Sequence, residues 1–216
     1  MENGLRWIAG VYDVGYTFTL CEGITPQELL VRMGADPSHI HELTEDAVAE
    51  LQFQPEDGHP SDLEFLDWED EDLVARLEEA GFLSRPEAIV RAGAVPGWAY
   101  AIENFSCRAT SCLEALSRGT RAYTVFRSGA GMQQVGYARA GEVLAYYEPQ
   151  NPSQGHTTTQ ATVPGFTATV PGFTYTGEEI PDIAFLRFLE QELRIYIAWE
   201  ETLAPLPTAA FARTCP

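Results

Sequence analysis

The 216-residue sequence contains no lysine, so its 13 basic residues are all arginine. Against them stand 32 acids, giving a formal charge of −19. So little positive charge argues against direct binding to DNA or RNA, where affinity rests on cationic contacts to phosphate. Long hydrophobic runs are missing too, and no apolar stretch approaches the roughly 20 residues of a membrane-spanning helix. The N-terminus carries Glu2 and Arg6 but no apolar centre of a signal peptide. No membrane partner is expected, and the expected compartment is the cytoplasm. The four cysteines, Cys21, Cys107, Cys112 and Cys215, lack the dense spacing of a secreted disulfide scaffold. Cys107 and Cys112 form a C-x4-C pair with no further ligands close by, and they read as two small thiols rather than a metal site. No cofactor is expected.

Apolar residues make up 45% of the chain and the mean hydropathy is −0.15, which fits a globular fold rather than disorder. The length suits one domain over residues 1–216. Its charge is local. Residues 36–79 hold 16 of the 32 acids and one base, Arg76, for a net −15, while all other residues together sum to −4. Helix signals run through this acidic helical segment, 36–80. Thr44 caps a helix to about Leu51, and Ser61-Asp62-Leu63-Glu64 forms a capping box. Residues 67–79 carry Trp68, Leu73, Val74 and Leu77 at helical spacing before Gly81. The carboxylates of Asp62, Glu64, Asp67, Glu69, Asp70, Glu71 and Asp72 then make a face of one sign. A solvated helix face produces such a run, but a neutral surface would interleave arginines. A basic protein partner is the natural complement.

Thr25-Pro26-Gln27-Glu28 opens a further helix, with Leu29, Leu30 and Met33 as its buried stripe and Gly34 as its stop. From Val95 the period changes to two. A strand over 97–103 alternates Trp98, Tyr100 and Ile102 outward from its alanines, and a helix from Ser111 to Gly119 follows. Strands at 121–127, 133–138 and 142–148 complete a meander, the last two joined through Arg139-Ala140-Gly141. The expected class is α+β, a mainly antiparallel sheet with helices packed on one face.

Residues 149–177 are a Pro/Thr-rich insert containing a perfect tandem repeat. Ala161–Thr167 reads Ala-Thr-Val-Pro-Gly-Phe-Thr, and Ala168–Thr174 repeats it. Pro-Gly in each copy forbids a helix and sets a turn. The insert is expected to project from the sheet. It is then either a tolerated surface duplication or a loop offering Phe166 and Phe173 to a partner. A closing helix is expected from Pro181 or Asp182 to about Trp199, with a loose Pro-rich tail after Ala204.

Several of these stretches stand together in a known pattern. They are Thr25-Pro26-x-Glu28-Leu29-Leu30-x-Arg32-Met33-Gly34, Gly97-Trp98-Ala99-Tyr100-Ala101-Ile102-Glu103, Leu116-Ser117-Arg118-Gly119-Thr120, and the run from Gly141-Glu142 to Tyr147-Glu148-Pro149. In them the chain resembles a family of uncharacterised actinobacterial domains of unknown function, over about two thirds of its length in pieces. The resemblance implies an α+β fold and no activity.

Catalytic patterns are scarce. His39-Ile-His41-Glu42 places two histidines at a spacing that shares no helix face. No Gly-rich phosphate loop, nucleophile elbow or zincin motif occurs. Glu103 and Arg118 read as a structural ion pair. The leading reading is a non-enzymatic acidic binding protein that engages a basic protein partner, in the manner of an immunity protein, an antitoxin or a nucleic-acid mimic. The alternative is a small-ligand sensor or enzyme with a pocket over the sheet, lined by Trp98, Tyr100 and Tyr123.

Overall fold

The computed structural model describes residues 4–55, 62–152 and 169–212. Strands β1 (Tyr16–Glu22), β2 (His41–Leu43), β3 (Ala88–Val95), β4 (Trp98–Asn104), β5 (Arg121–Arg127), β6 (Gln133–Arg139), β7 (Glu142–Tyr147) and β8 (Leu206–Phe211) build one sheet in the order β2-β8-β3-β4-β1-β5-β6-β7. Every pairing in it is antiparallel. The helices are α1 (Trp7–Val11), α2 (Pro26–Arg32), α3 (Glu45–Gln52), α4 (Glu71–Glu79), α5 (Arg108–Leu116), α6 (Pro181–Leu193) and α7 (Trp199–Thr202). The fold is α+β.

Side-chain size divides the two faces. Phe18, Leu20, Trp98, Tyr100, Ile102, Tyr123 and Tyr137 point to one side and pack under α1 and α6. The alternate positions, among them Ala99, Ala101, Ala122 and Ala138, face the other side, where short side chains receive Leu29, Leu30 and Met33 of α2 and Leu113 and Leu116 of α5. Helices therefore cover both faces of the sheet rather than one. The acidic segment has a small core of its own: Leu43, Val48, Leu51, Leu63, Leu66, Leu77 and Phe82 close over Ile89 of β3.

Local signals explain most elements. Thr25 accepts the amide of Glu28 at 3.1 Å, Pro26 starts α2, and Gly34 ends it at φ 98°. The β6–β7 turn puts Ala140 and Gly141 both at positive φ, 53° and 84°, which matches the twist of the flanking strands. Other expectations are displaced. α4 begins at Glu71, not 67, because Asp70 is its cap and accepts the amide of Leu73. α6 stops at Leu193, where Arg194 takes up φ 53°, and does not reach Trp199. The stretch after Ala204 is not loose: β8 threads between β2 and β3. Its ladder with β3 runs from Ala88↔Phe211 to Arg91↔Thr208 and ends just before Pro207, which has no amide to donate.

The second repeat also differs from expectation. Val170-Pro171-Gly172-Phe173 is a turn, closed by the Phe173 amide on the Val170 carbonyl at 3.1 Å with Gly172 at φ 81°. Both ends of that turn face inward. Val170 and Phe173 are buried, and the Phe173 ring meets Phe185 edge-on at 4.9 Å. Phe173 is thus a core residue and offers no contact to a partner. Phe166 and the rest of the first copy lie outside the described residues.

Candidate functional site

Two features meet where the acidic segment joins the sheet. The first is the acidic face. Thr44 caps α3 through the amide of Ala47 at 3.2 Å, and Asp70 caps α4 through Leu73 at 3.0 Å. Between them, a carboxylate oxygen of Glu50 accepts the amides of Glu64 and Phe65 at 2.6 and 3.2 Å and ties the connecting chain to α3. On this frame Asp62, Glu64, Asp67, Glu69, Asp70, Glu71 and Asp72 are all exposed. The acids stand on a packed scaffold, with Leu63, Leu66 and Leu77 turned inward beneath them.

Glu45 is the acid that fastens the scaffold. It pairs with Arg91, an arginine only 3% exposed in the middle of β3, and accepts the Tyr12 hydroxyl at 2.9 Å. Arg91 also donates to the carbonyls of Thr202 at 2.7 Å and Ala204 at 3.0 Å. Burial, and then the Glu45 carboxylate, push the Tyr12 phenol far above its ordinary range, so it stays a donor.

The second feature is a rim at one end of the strands. Phe53, the residue after α3, and Phe105, the residue after β4, are 57% and 53% exposed. Their rings meet edge to face, 5.6 Å apart at 89°. Phe105 has φ 54°, a left-handed conformation uncommon for a bulky side chain, and its amide is held by the Gly15 carbonyl at 3.2 Å. A cavity of about 390 Å³ lies on one side of it, with Cys107, Arg108, Cys112 and Phe211 in its walls. A second of about 360 Å³ lies on the other, with Gln52, Arg85 and Asn104. Phe105 and Glu87 line both.

Beneath this rim Glu103 is completely buried. It accepts the Ser106 hydroxyl at 2.8 Å and the amides of Arg108 and Ala109 at 2.7 and 2.9 Å, so it caps α5 from the preceding strand. The expected pair with Arg118 does not form, and Arg118 is exposed. The helix N-terminus is therefore already filled by the protein's own carboxylate. Burial, and the Glu103 charge after it, push the Cys107 thiol up, so the cysteine at this rim is a poor nucleophile. The pair Cys107 and Cys112 shares a cavity wall, and the Cys112 thiol points to the Met33 carbonyl at 3.8 Å.

Burial raises the Glu103 carboxyl above its usual range, and the three donors only partly offset this. The fold then holds the Glu103 proton more tightly than the unfolded chain does. Its stabilising contribution is complete below the unfolded value and fades as pH rises through the folded one. Glu103→Gln leaves amide hydrogens facing amide donors and is expected to lose about 2 kcal/mol. The stability gap between wild type and Glu103→Gln in urea is expected to narrow from about pH 4 to about pH 7. A gap that widens over that range would mean that the donor bonds outweigh burial.

The profile of the family of unknown function DUF6461 matches residues 5–184. The chain belongs to the DUF6461 family. No curated protein and no solved structure shows a significant match. The matched region of this DUF6461 chain takes in the acidic scaffold, the rim and most of the sheet, and it stops inside α6. It extends over the α2 helix, the Gly-Trp strand and the Leu-Ser-Arg-Gly turn that carried the family resemblance in the sequence.

In this DUF6461 fold Trp98, Tyr100 and Tyr123 do not line a pocket over the sheet. They are 7%, 3% and 5% exposed and belong to the aromatic core under α6. Tyr123 stacks between Trp98 at 6.0 Å and Tyr137 at 4.9 Å, and the Arg121 guanidinium covers Trp98 from outside at 5.2 Å. Alternation on a strand marks one buried face; it does not say whether a helix or a ligand fills it. Phe53 and Phe105 escaped the sequence reading for the opposite reason. Each is a lone aromatic just past an element's end, and only the tertiary fold brings them into contact.

Proposed function

We propose that this DUF6461 protein is a non-enzymatic acidic binding protein whose acidic helices engage a basic protein partner, immunity- or antitoxin-like or acting as a nucleic-acid mimic. One observation carries this reading: the acids from Asp62 to Asp72 stand exposed on a frame with its own apolar core and capped helices. A tail that merely kept the chain soluble would need no such frame. Holding carboxylates at fixed positions lowers the ordering penalty on binding and creates a field that steers a cationic surface. The frame's anchorage to the sheet through Arg91 and Glu45 supports it further, because it fixes the acidic face relative to the rest of the fold.

Capture from a native lysate tests this at two salt concentrations, about 0.05 M and about 0.5 M, where the screening length falls from near 14 Å to near 4 Å. A partner of net positive charge is expected at low salt and its recovery should fall steeply at high salt. Asp70→Asn/Glu71→Gln/Asp72→Asn should retain less of it at low salt while melting no earlier than wild type. Capture that ignores both salt and the triple substitution would contradict the electrostatic reading.

A further inference from the structure

Positive charge is also local in this chain. Residues 115–141 hold four of the 13 arginines and no acid, the reverse of the balance over the whole sequence. One of the four, Arg127, pairs with buried Asp182 at the rim end of β5. At the other end of the same strand, Arg121 and Arg139 stand directly opposite one another in the β5–β6 ladder. Like charges facing each other across two strands cost stability, so the arrangement needs a reason. Arg121 is partly compensated: Nε and Nη2 donate to the Glu22 carboxylate at 2.6 and 2.9 Å, and its guanidinium covers Trp98. Arg139 has no such partner among the described residues. It is exposed, and no hydrogen bond or ion pair there reaches its side chain, although Glu142 is its ladder neighbour on β7.

A cavity of about 480 Å³ lies between the two arginines, with Glu22, Thr120, Tyr137 and Ala140 also in its walls. Arg121 through its hydrogen bonds, and Arg139 more weakly through its charge, hold the Glu22 carboxyl below its usual range, so it stays ionised. Two guanidiniums against one carboxylate leave the walls net positive. We propose that this cavity binds a phosphate monoester, its phosphate between Arg139 and Arg121 and a small hydrophilic body in the remaining space. Phosphate brings nearly two negative charges and three acceptor oxygens at neutral pH, enough to offset both guanidiniums. The planar fork of arginine matches it bidentately. A carboxylate brings one charge, which Glu22 already supplies to Arg121. The cavity is larger than a bare phosphate ion needs, which points to an ester. It is a single pocket rather than a run of cationic contacts, so a nucleic-acid backbone gains little from it. The site is separate from the acidic face and does not depend on the partner reading.

Glycerol phosphate and inorganic phosphate, titrated calorimetrically into the whole protein at neutral pH and constant ionic strength, test the site. Glycerol phosphate is expected to bind with a Kd of about 1 mM or tighter, and inorganic phosphate more weakly. Arg139→Gln should weaken the ester about tenfold. Because that change relieves the repulsion with Arg121, the variant should melt no earlier than wild type without ligand. Glu22→Gln takes the acid out of the wall and should tighten binding about threefold. Arg118 is exposed, with its stem beside Gly141, and does not line the cavity, so Arg118→Gln should change affinity by less than about twofold. Absence of binding by the ester overturns the proposal. Equal losses from Arg118→Gln and Arg139→Gln would assign the effect to a diffuse field and overturn it too. Earlier melting of Arg139→Gln with unchanged affinity would make Arg139 a structural residue. Inorganic phosphate binding as tightly as the ester would overturn the ester as the ligand.

Discussion

Arg91→Met is expected to destabilise the protein by about 3–5 kcal/mol, the range for removing one partner of a buried charged pair. Arg91 is the crosspiece between the acidic scaffold and the sheet. It joins Glu45 at the start of α3 to the carbonyls of Thr202 and Ala204, which lead into β8. Methionine fills much of the volume but leaves Glu45 with Tyr12 alone and two inward carbonyls without their donor. Urea denaturation measures the loss. The double variant Glu45→Gln/Arg91→Met should lose less than the two single losses added together, because the second change no longer strands a buried charge. A loss below about 1 kcal/mol for Arg91→Met would show that the pair contributes little net stability.

The repeat makes the second large prediction. Phe173→Ala is expected to cost about 3–5 kcal/mol, since it empties a core position that touches both Phe185 and Phe188. Removing one seven-residue copy should behave quite differently. Deleting 161–167 or 168–174 yields the same sequence, and a complete Val-Pro-Gly-Phe turn remains next to α6 either way. Stability close to wild type is expected for that deletion, and a loss at least as large as that of Phe173→Ala for deletion of 161–174. A single-copy deletion as damaging as Phe173→Ala would mean that both copies are needed by the core.

Much of the architecture was readable from local patterns because those patterns are enforced locally. The capping box at Thr25, the hairpin at Ala140-Gly141 and the alternation in β4 each fix a few backbone angles without help from elsewhere. The misses share another cause. β3 carries Arg91 in its centre and Gly93, whose bare backbone lies against the Tyr100 ring; a Cβ there would fall 2.2 Å from that ring. A buried arginine and a glycine disguise a strand until their partners on β4 and α3 are known. β8 opens on Leu206-Pro207, which reads as loop, although the proline falls where the β3 ladder has already ended. As for the candidate site, the acidic stretch stood out in composition, but its internal core and the aromatic rim depend on contacts between residues far apart in sequence.

The placement of β8 also bears on how the chain is made. On the ribosome, β3 emerges long before β8, and until then one edge of β3 carries open amides and carbonyls beside Ile89 and Val90. The stretch synthesised just ahead of that edge is the most anionic in the protein. A nascent chain whose unpaired strand trails a run of carboxylates repels other copies of itself during the interval in which that edge is open. The same acids that face outward in the finished fold are thus also the charge that lies next to the open edge of an unfinished sheet.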